Sequence, residues 1–138
     1  MELIFATHNA NKVKEVSKML PEYLEMKSLT DIGFFDEIEE TGTTFKENAQ
    51  LKAHTIFEKI QKNIFADDSG LVIEALNGAP GVFSHRYAGT GKDEDNIAKA
   101  LEELKGKTNR KAYFISIFCL ILKGKEYFFE GRVNGTIA

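Results

Sequence analysis

The sequence contains very little cysteine and no apolar run long enough for a membrane span. Cys119 is the only cysteine among the 138 residues, which excludes an intrachain disulfide. It lies in the apolar run 113–122, where we expect a buried, unreactive thiol. This run is too short for a membrane helix, which needs about 20 residues. The N-terminal residues also lack the basic and apolar regions of a signal peptide, so we expect a cytoplasmic protein.

The chain also lacks an excess of positive charge. It has 18 Lys and Arg against 21 Asp and Glu, a net charge of −3, which argues against a broad basic face for nucleic acid or membranes. Apolar residues make up 43% and charged residues 28%, as in an ordinary globular domain. Internal repeats and low-complexity tracts are absent. The length therefore predicts a single domain over residues 1–138.

Several common catalytic motifs are missing as well. The stretch 89–92 resembles the end of a P-loop, but Arg86 stands where the first glycine is needed and Asp93 where Ser or Thr is needed. The three histidines lack metal-ligand spacing with a cysteine, so we expect no zinc site. Ser69 is not part of a Gly-x-Ser-x-Gly motif, which disfavours nucleophilic catalysis.

Hydrophobic periodicity predicts a mixture of strands and helices. The predicted strands cover residues 3–6, 25–29, 64–66, 71–76, 112–122 and 126–133. The predicted helices cover residues 12–20, 45–60 and 93–104, the second with a capping-box start and the third capped by Asp93 or Asp95. This order predicts an α/β domain with a mixed sheet rather than uniform βα alternation.

The stretch 64–73 is apolar except for two adjacent carboxylates and the Ser-Gly that follows them. Adjacent residues of a strand point to opposite faces, so a regular strand would not direct both Asp67 and Asp68 at one ligand. We therefore expect the strand to end near Ala66, with Gly70 providing a bend and one carboxylate projecting into a cleft. The alternative is a functionally silent turn between two hairpin strands.

A second polar cluster, Thr7-x-Asn9-x-x-Lys12, lies between the first predicted strand and the first predicted helix. A loop at this place directs backbone amides and a helix N-terminus at a common point, which suits an anion. The alternative is that Asn9 or Asn11 is only an N-cap and Lys12 a solvated residue of the first turn. A lysine there opposes the helix dipole, which argues mildly against that alternative.

A third cluster combines the stretch 39–42 with Asn48 and Lys52, which are four residues apart on one face of the second predicted helix. The plain alternative is that Lys52 is a solvated surface lysine. Taken together, carboxylates with lysines nearby suit a Mg²⁺-bound polyphosphate, because the metal takes oxygen ligands and the lysines neutralise phosphate charge. The residues alone thus indicate a Mg²⁺-dependent enzyme acting on phosphate esters or anhydrides.

Short motifs along the whole chain resemble, in order and spacing, those of the inosine triphosphate pyrophosphatase (Ham1-like) family. They lie at residues 7–12, 39–45, 47–49, 51–53, 66–71 and 78–81. The resemblance implies an elongated, twisted mixed sheet flanked by helices, the ITPase/Maf-like fold, and a homodimer. It also implies hydrolysis of ITP, dITP and XTP to monophosphate and pyrophosphate, which removes deaminated purines from the nucleotide pool.

The same resemblance implies roles for the matching polar residues. Asp68 would be the general base for the attacking water, and Lys12 would also be catalytic. Glu40 and Asp68 would hold Mg²⁺, with Asp67 as a possible further ligand. The implied substrate-binding residues are Thr7, His8, Asn9, Ala10, Asn11, Lys12, Lys52 and Ser69.

The sequence departs from the family pattern towards its C-terminus. The family's Phe-Gly-Tyr-Asp and terminal Ser-His-Arg segments, associated with recognising the purine base, are missing, so we expect a C-terminally incomplete domain. The stretch 84–86 also reads Ser-His-Arg, but it belongs to a different family segment. Two alternatives stay open: a Maf-like nucleotide pyrophosphatase, and a catalytically silent module that binds a nucleotide or metal. The presence of Glu40, Asp68, Lys12 and Lys52 favours intact chemistry, and the missing segments favour the silent module.

Overall fold

The computed structural model describes residues 1–36, 38, 40–90 and 92–137. The strands are β1 (Glu2–Phe5), β2 (Glu25–Ser28), β3 (Ile64–Ile73), β4 (Lys111–Leu122) and β5 (Lys125–Thr136). The α-helices are α1 (Ala10–Ser17), α2 (Phe45–Ile60) and α3 (Asp93–Glu103), and two 3₁₀-helices cover Glu74–Leu76 and Gly81–Arg86. Within this part of the chain, no helix is long and apolar enough to span a membrane.

The strands form one five-stranded sheet in the order β2-β1-β3-β4-β5. β1 runs parallel to both β2 and β3, with Ile4 opposite Ile64 in the second pairing. β4 and β5 are joined by Lys123 and Gly124, whose φ angles are 50° and 79°. A two-residue turn with both φ angles positive is typical of an antiparallel hairpin. Parallel and antiparallel neighbours in one sheet confirm the predicted mixed α/β architecture.

The chain divides into two compact units, each with its own buried residues. The first unit comprises Met1–Asp67 and Phe118–Phe129, and the second Asp68–Ile117 and Glu130–Ala138. In the first unit, the buried apolar side chains are those of Leu3, Ile4, Phe5, Ala6, Val13, Leu29, Ala49, Ala53, Ile56, Ile64, Ala66, Cys119 and Ile121. The core of the second unit contains Ile73, Ala100, Leu104 and Ala112, with partly buried apolar residues packed against them.

Cys119 is fully buried in the first unit, as the sequence predicts. Burial raises the pKa of its thiol to about 12, and the negative charge of Glu126 adds to this shift. Since the thiolate is the reactive form, Cys119 is unreactive at neutral pH.

The starts of α1 and α2 follow from side-chain caps. Asn9 Oδ1 accepts a hydrogen bond from Lys12 N at 3.1 Å, so α1 begins two residues earlier than predicted, at Ala10. Thr44 Oγ1 accepts from Glu47 N at 3.1 Å and caps α2. The predicted capping residue is confirmed, although Glu47 Oε2 reaches back to Thr43 N rather than to the N-cap itself.

The prediction that the central strand ends near Ala66 with a bend at Gly70 is wrong, and so is the alternative of a hairpin turn. β3 runs without interruption through both aspartates to Ile73. The polar side chains within the strand are satisfied by partners: Lys12 Nζ contacts Asp67, and Ser69 Oγ lies 2.8 Å from Ser116 Oγ. With these partners the polar side chains are accommodated within a strand, although the Asp-Ser-Gly composition is typical of a turn.

Two smaller predictions also need correction. The strand predicted at 71–76 is the end of β3 followed by the 3₁₀-helix Glu74–Leu76. The N-cap of α3 is Lys92, without a side-chain cap, rather than Asp93 or Asp95. Asp95 accepts a hydrogen bond from Thr90 Oγ1 at 2.6 Å instead, while the acidic first turn still suits the helix dipole.

Candidate functional site

The loop between β1 and α1 has its shape fixed by its own polar side chains. Thr7 Oγ1 accepts a hydrogen bond from Asn9 N at 3.1 Å, and Asn9 caps α1 as described above. Asn9 is therefore an N-cap, the alternative that the sequence left open. Ala10 and Asn11 are exposed at the first turn of α1, with their backbone at the helix N-terminus. The loop thus presents the backbone amides of Ala10 and Asn11 at a helix start, which is a suitable place for an anion.

Lys12 is not a freely solvated lysine, because it makes an ion pair with Asp67. Its Nζ lies 2.6 Å from Asp67 Oδ2, and the two side chains are 34% and 2% exposed. A carboxylate buried to this degree requires a compensating positive charge or hydrogen bonds. Lys12 Nζ also lies 6.0 Å from the centroid of the Phe5 ring. The pair joins the first turn of α1 to β3 and holds the ammonium group at the loop.

Lys52 makes a second ion pair, with Glu40. Its Nζ lies 3.0 Å from Glu40 Oε1, and the side chains are 14% and 24% exposed. The alternative that Lys52 is a solvated surface lysine is therefore wrong. Lys52 lies on α2, whereas Glu40 lies on the segment that precedes this helix. The pair therefore fixes a carboxylate of an irregular segment against a helix.

The segment that carries Glu40 is attached to α2 by a further contact at Gly42. Gly42 N donates to Asn48 Oδ1 at 2.8 Å, and Asn48 is fully buried. A Cβ atom on residue 42 would lie 2.7 Å from Asn48 Oδ1 and 2.7 Å from Glu47 Cβ, so only glycine fits. The sequence placed Asn48 on a polar face with Lys52, but the structure shows that it has an anchoring role.

A cavity of about 210 Å³ in the first unit brings several predicted residues together. It is lined by Ala6, Thr7, His8, Leu29, Ile38, Glu40 and Lys52. A hydroxyl, an imidazole, a carboxylate and an ammonium group thus surround one small space. Ala6, Leu29 and Ile38, the apolar part of this lining, were not among the site residues predicted from the sequence. Ile38 is half-buried and stands in an acidic stretch, where no periodic pattern indicates that it lines a cavity.

The other two predicted site residues belong to the second unit. Asp68 and Ser69 follow Asp67 on β3 and are 4% and 7% exposed. Ser69 Oγ lies 2.8 Å from Ser116 Oγ, so its hydroxyl already has a hydrogen-bond partner in β4. The second unit also contains a larger cavity of about 780 Å³, whose lining includes none of the predicted site residues.

Comparison with known proteins identifies the family. Residues 3–138 match the family model described as Ham1 family. The chain belongs to the Ham1 family. Among its relatives, the dITP/XTP pyrophosphatase of Flavobacterium psychrophilum is 48% identical over 138 residues, which are 99% of this chain and 73% of that protein. The dITP/XTP pyrophosphatase of Bacillus subtilis is 50% identical over 142 residues, covering 99% of this chain and 72% of the relative.

Solved structures of Ham1 proteins share the fold. A HAM1 protein from Coxiella burnetii superposes with a TM-score of 0.92 at 36% identity and covers 100% of this chain, which spans 73% of that protein. The Ham1 protein of Staphylococcus aureus gives a TM-score of 0.91 at 36% identity, with 100% and 72% coverage. The resemblance and the fold class predicted from the sequence are therefore confirmed.

The carboxylates of this Ham1-family chain fit a magnesium ion that arrives with a polyphosphate. In the described part of the chain, no group of three or more His, Cys, Asp or Glu side chains lies close enough to hold a metal by itself. Mg²⁺ commonly binds through one or two carboxylates together with substrate phosphates. Glu40 and Asp68, the ligands that the family resemblance implies, and the neighbouring Asp67 have the hard oxygen atoms that this mode requires. Glu40 and Asp67 also contact lysines, whose charge suits phosphate.

Proposed function

We propose that this chain is a nucleoside triphosphate pyrophosphatase that hydrolyses ITP, dITP and XTP to the monophosphate and pyrophosphate. Water attacks the α-phosphorus, and the bond from this phosphorus to the oxygen that bridges it to the β-phosphorus breaks. The class, a hydrolase of acid anhydrides, follows from the Ham1 family and from relatives named dITP/XTP pyrophosphatase. The proposed role is removal of deaminated purine nucleotides from the nucleotide pool.

The observation that carries the proposal is the presence of two lysines held in place by carboxylates. Lys12 is held by Asp67 and Lys52 by Glu40, and both pairs lie in the first unit. Transfer of a phosphoryl or nucleotidyl group depends mainly on positioning and on stabilising negative charge. Lysines that are fixed before the substrate arrives meet both requirements, since they need no reorganisation during the reaction.

The loop residues are proposed to bind the triphosphate mainly through the backbone. The Thr7 and Asn9 side chains shape the loop, and Lys12 N already donates to Asn9 Oδ1. The amides of Ala10 and Asn11 at the start of α1 are therefore the groups proposed to bind phosphate. Lys12, Lys52 and the Ser69 hydroxyl are proposed as further phosphate contacts. Neutralising the charge on the leaving pyrophosphate is the role that this assigns to the two lysines.

Asp68 is proposed as the general base that orients the attacking water and accepts its proton. Glu40 and Asp68, with Asp67 as a possible further ligand, are the residues proposed to hold Mg²⁺. When bound, the ion supplies charge stabilisation at the phosphate oxygens.

The proposal is tested by measuring pyrophosphate release from ITP, dITP, XTP, ATP and GTP, with Mg²⁺ and with EDTA. We expect Mg²⁺-dependent release from the first three and at least about a hundredfold lower rates for Asp68→Asn. Asp93→Asn is the matched control, because it makes the same change at an exposed residue of α3. Equal rates on all five nucleotides would contradict the base preference. No release by the folded wild-type protein would contradict the enzymatic proposal.

The homodimer implied by the family resemblance is part of the same proposal, and the cytoplasmic location stays a prediction. The molar mass in solution tests the former, since a monomer has a mass of 15.5 kDa. Light scattering at the concentration of the activity assay is the appropriate measurement, because oligomeric state depends on concentration.

A further inference from the structure

Both ring nitrogens of His8 contact the segment that follows β2. Nε2 lies 3.1 Å from the main-chain oxygen of Asp36, and Nδ1 lies 3.3 Å from Oγ1 of Thr30. The ring is also stacked with Phe34, with centroids 6.5 Å apart and planes inclined by 12°. Although the side chain is exposed, its polar atoms are used within the protein.

These partners determine the protonation pattern of the neutral ring. A carbonyl oxygen can only accept, so Nε2 must carry a proton and donate to Asp36. Nδ1 then accepts, and the Thr30 hydroxyl donates to it. In the imidazolium form both nitrogens donate and Thr30 Oγ1 accepts. Both contacts are therefore compatible with either charge state of His8.

The contacted segment, residues 28–36, is folded on itself and is attached at two points. Phe34 N donates to Leu29 O at 2.9 Å, which closes a turn within the segment. Its near end is held because Leu29 N donates to Thr7 O at 3.1 Å. His8 provides the attachment at the far end. Thr7 and His8, which are consecutive in the loop after β1, thus hold the two ends of this segment.

The far end of the segment leads towards the second ion pair. Asp36 precedes Glu40 by four positions in the chain, and Glu40 accepts the contact from Lys52 Nζ at 3.0 Å. His8 lines the same cavity as Glu40 and Lys52. Fixing the carbonyl of Asp36 therefore restricts where the chain can place Glu40.

We infer that His8 is a positioning residue that holds the 28–36 segment against the loop between β1 and α1 and so keeps Glu40 in place beside Lys52. The inference rests on the proposed function and deepens it. It assigns His8 a role different from the substrate contact that the family resemblance implies. A ring whose two nitrogens are engaged within the protein must break one of these bonds before it can bind a phosphate.

The test compares His8→Ala, His8→Gln and Thr30→Val with the wild-type chain. Gln is the conservative variant, because its amide nitrogen can replace Nε2 as the donor to Asp36. Thr30 does not line the cavity, so Thr30→Val removes the hydrogen bond between Thr30 and His8 without removing a potential substrate contact. The control is Glu15→Ala, which changes an exposed residue of α1.

Two readouts are needed. The first is hydrogen exchange at the amides of Gly33 and Phe34, which are bonded within the segment. The second is pyrophosphate release as a function of Mg²⁺ concentration. For His8→Ala we expect faster exchange, about tenfold lower kcat/KM, and a higher Mg²⁺ requirement. In His8→Gln the exchange rate, kcat/KM and Mg²⁺ requirement should lie close to the wild-type values. In Thr30→Val each of these should change in the same direction as in His8→Ala, but by less.

The outcomes separate this inference from the proposed function. If the wild-type chain releases no pyrophosphate, the proposed function fails, and the exchange data alone decide whether His8 holds the segment. Unchanged exchange in His8→Ala would overturn the inference. Faster exchange with unchanged activity would overturn it as well, because the segment would then position nothing. Loss of activity in both His8 variants, with Thr30→Val fully active, would make His8 a substrate contact and also overturn it.

Discussion

Lys12 Nζ and Asp67 Oδ2 are 2.6 Å apart, and the carboxylate is almost completely buried while the ammonium group remains about one-third exposed. The pair is thus asymmetric. The aspartate lies on the central strand of the sheet and depends on the protein for charge compensation, whereas the lysine still faces solvent. The exposed part of the ammonium group is therefore available to a phosphate of the proposed substrate while the ion pair stays intact.

Lys12→Met should destabilise the protein more than Asp67→Asn does. The first change takes away the ammonium group beside a buried carboxylate, which costs about 2 kcal/mol of unfolding free energy. The second change removes the buried charge as well as the pair, so its cost is smaller. Urea unfolding of both single variants and the double variant measures this difference. The double variant should recover part of the loss of Lys12→Met, and purely additive losses would contradict the coupling.

Gly42→Ala should destabilise the protein by about 1–3 kcal/mol, because the new methyl group would lie too close to Asn48 Oδ1 and Glu47 Cβ. The matched control is Gly131→Ala, where an added Cβ meets nothing within 4 Å. The control should change the unfolding free energy by less than about 0.5 kcal/mol. Thermal or urea unfolding decides the matter, and equal effects at the two positions would show that residue 42 has room for a side chain.

Acid should weaken the contact between α2 and the start of β5. A hydrogen bond from His54 holds the pKa of Glu126 below its ordinary value of 4.5, with Gln50 and the charge of Lys46 as further causes. A lowered folded-state pKa means that the ionised carboxylate adds stability above about pH 4.5, and this contribution is lost as pH falls through the folded value.

The measurement is the unfolding free energy of the wild-type chain and of Glu126→Gln between pH 7 and pH 3. The wild-type advantage should be present at neutral pH and should shrink on acidification, because protonation makes the two side chains alike in charge. An advantage that is constant across this range would show that the carboxylate does not stabilise this contact through its charge.

Elements whose signals are local could be predicted from the sequence. The start of α2 follows from the Thr44 cap, and the β4–β5 hairpin follows from the Lys-Gly turn between two apolar runs. The end of β3 could not be predicted in this way. The Asp-Asp-Ser-Gly composition favours a turn, whereas the strand continues and its polar side chains contact Lys12 and Ser116, which are distant in the sequence.

In the candidate site, too, local features could be predicted from the sequence and contacts between distant residues could not. Lysines and carboxylates could be recognised by residue type, but their pairing could not, because Lys12 meets Asp67 across 55 positions of sequence. The anchoring role of Asn48 was also hidden, since its partner is a backbone amide of Gly42 rather than a side chain. Unlike the Thr44 N-cap, this contact from within a helix to a backbone amide six positions earlier matches no residue-type pattern.

The unbroken course of β3 restricts where this chain can accept insertions and deletions. In a strand, a shift of one residue exchanges the faces of every side chain beyond it. A single inserted residue between Ile64 and Ala66 would bring a methyl group, rather than a carboxylate, to the position that faces Lys12. Length variation should therefore be tolerated at the Lys123-Gly124 turn and rejected before Asp67. The buried carboxylate of Asp67 therefore restricts the register of β3, because only one register places it beside Lys12.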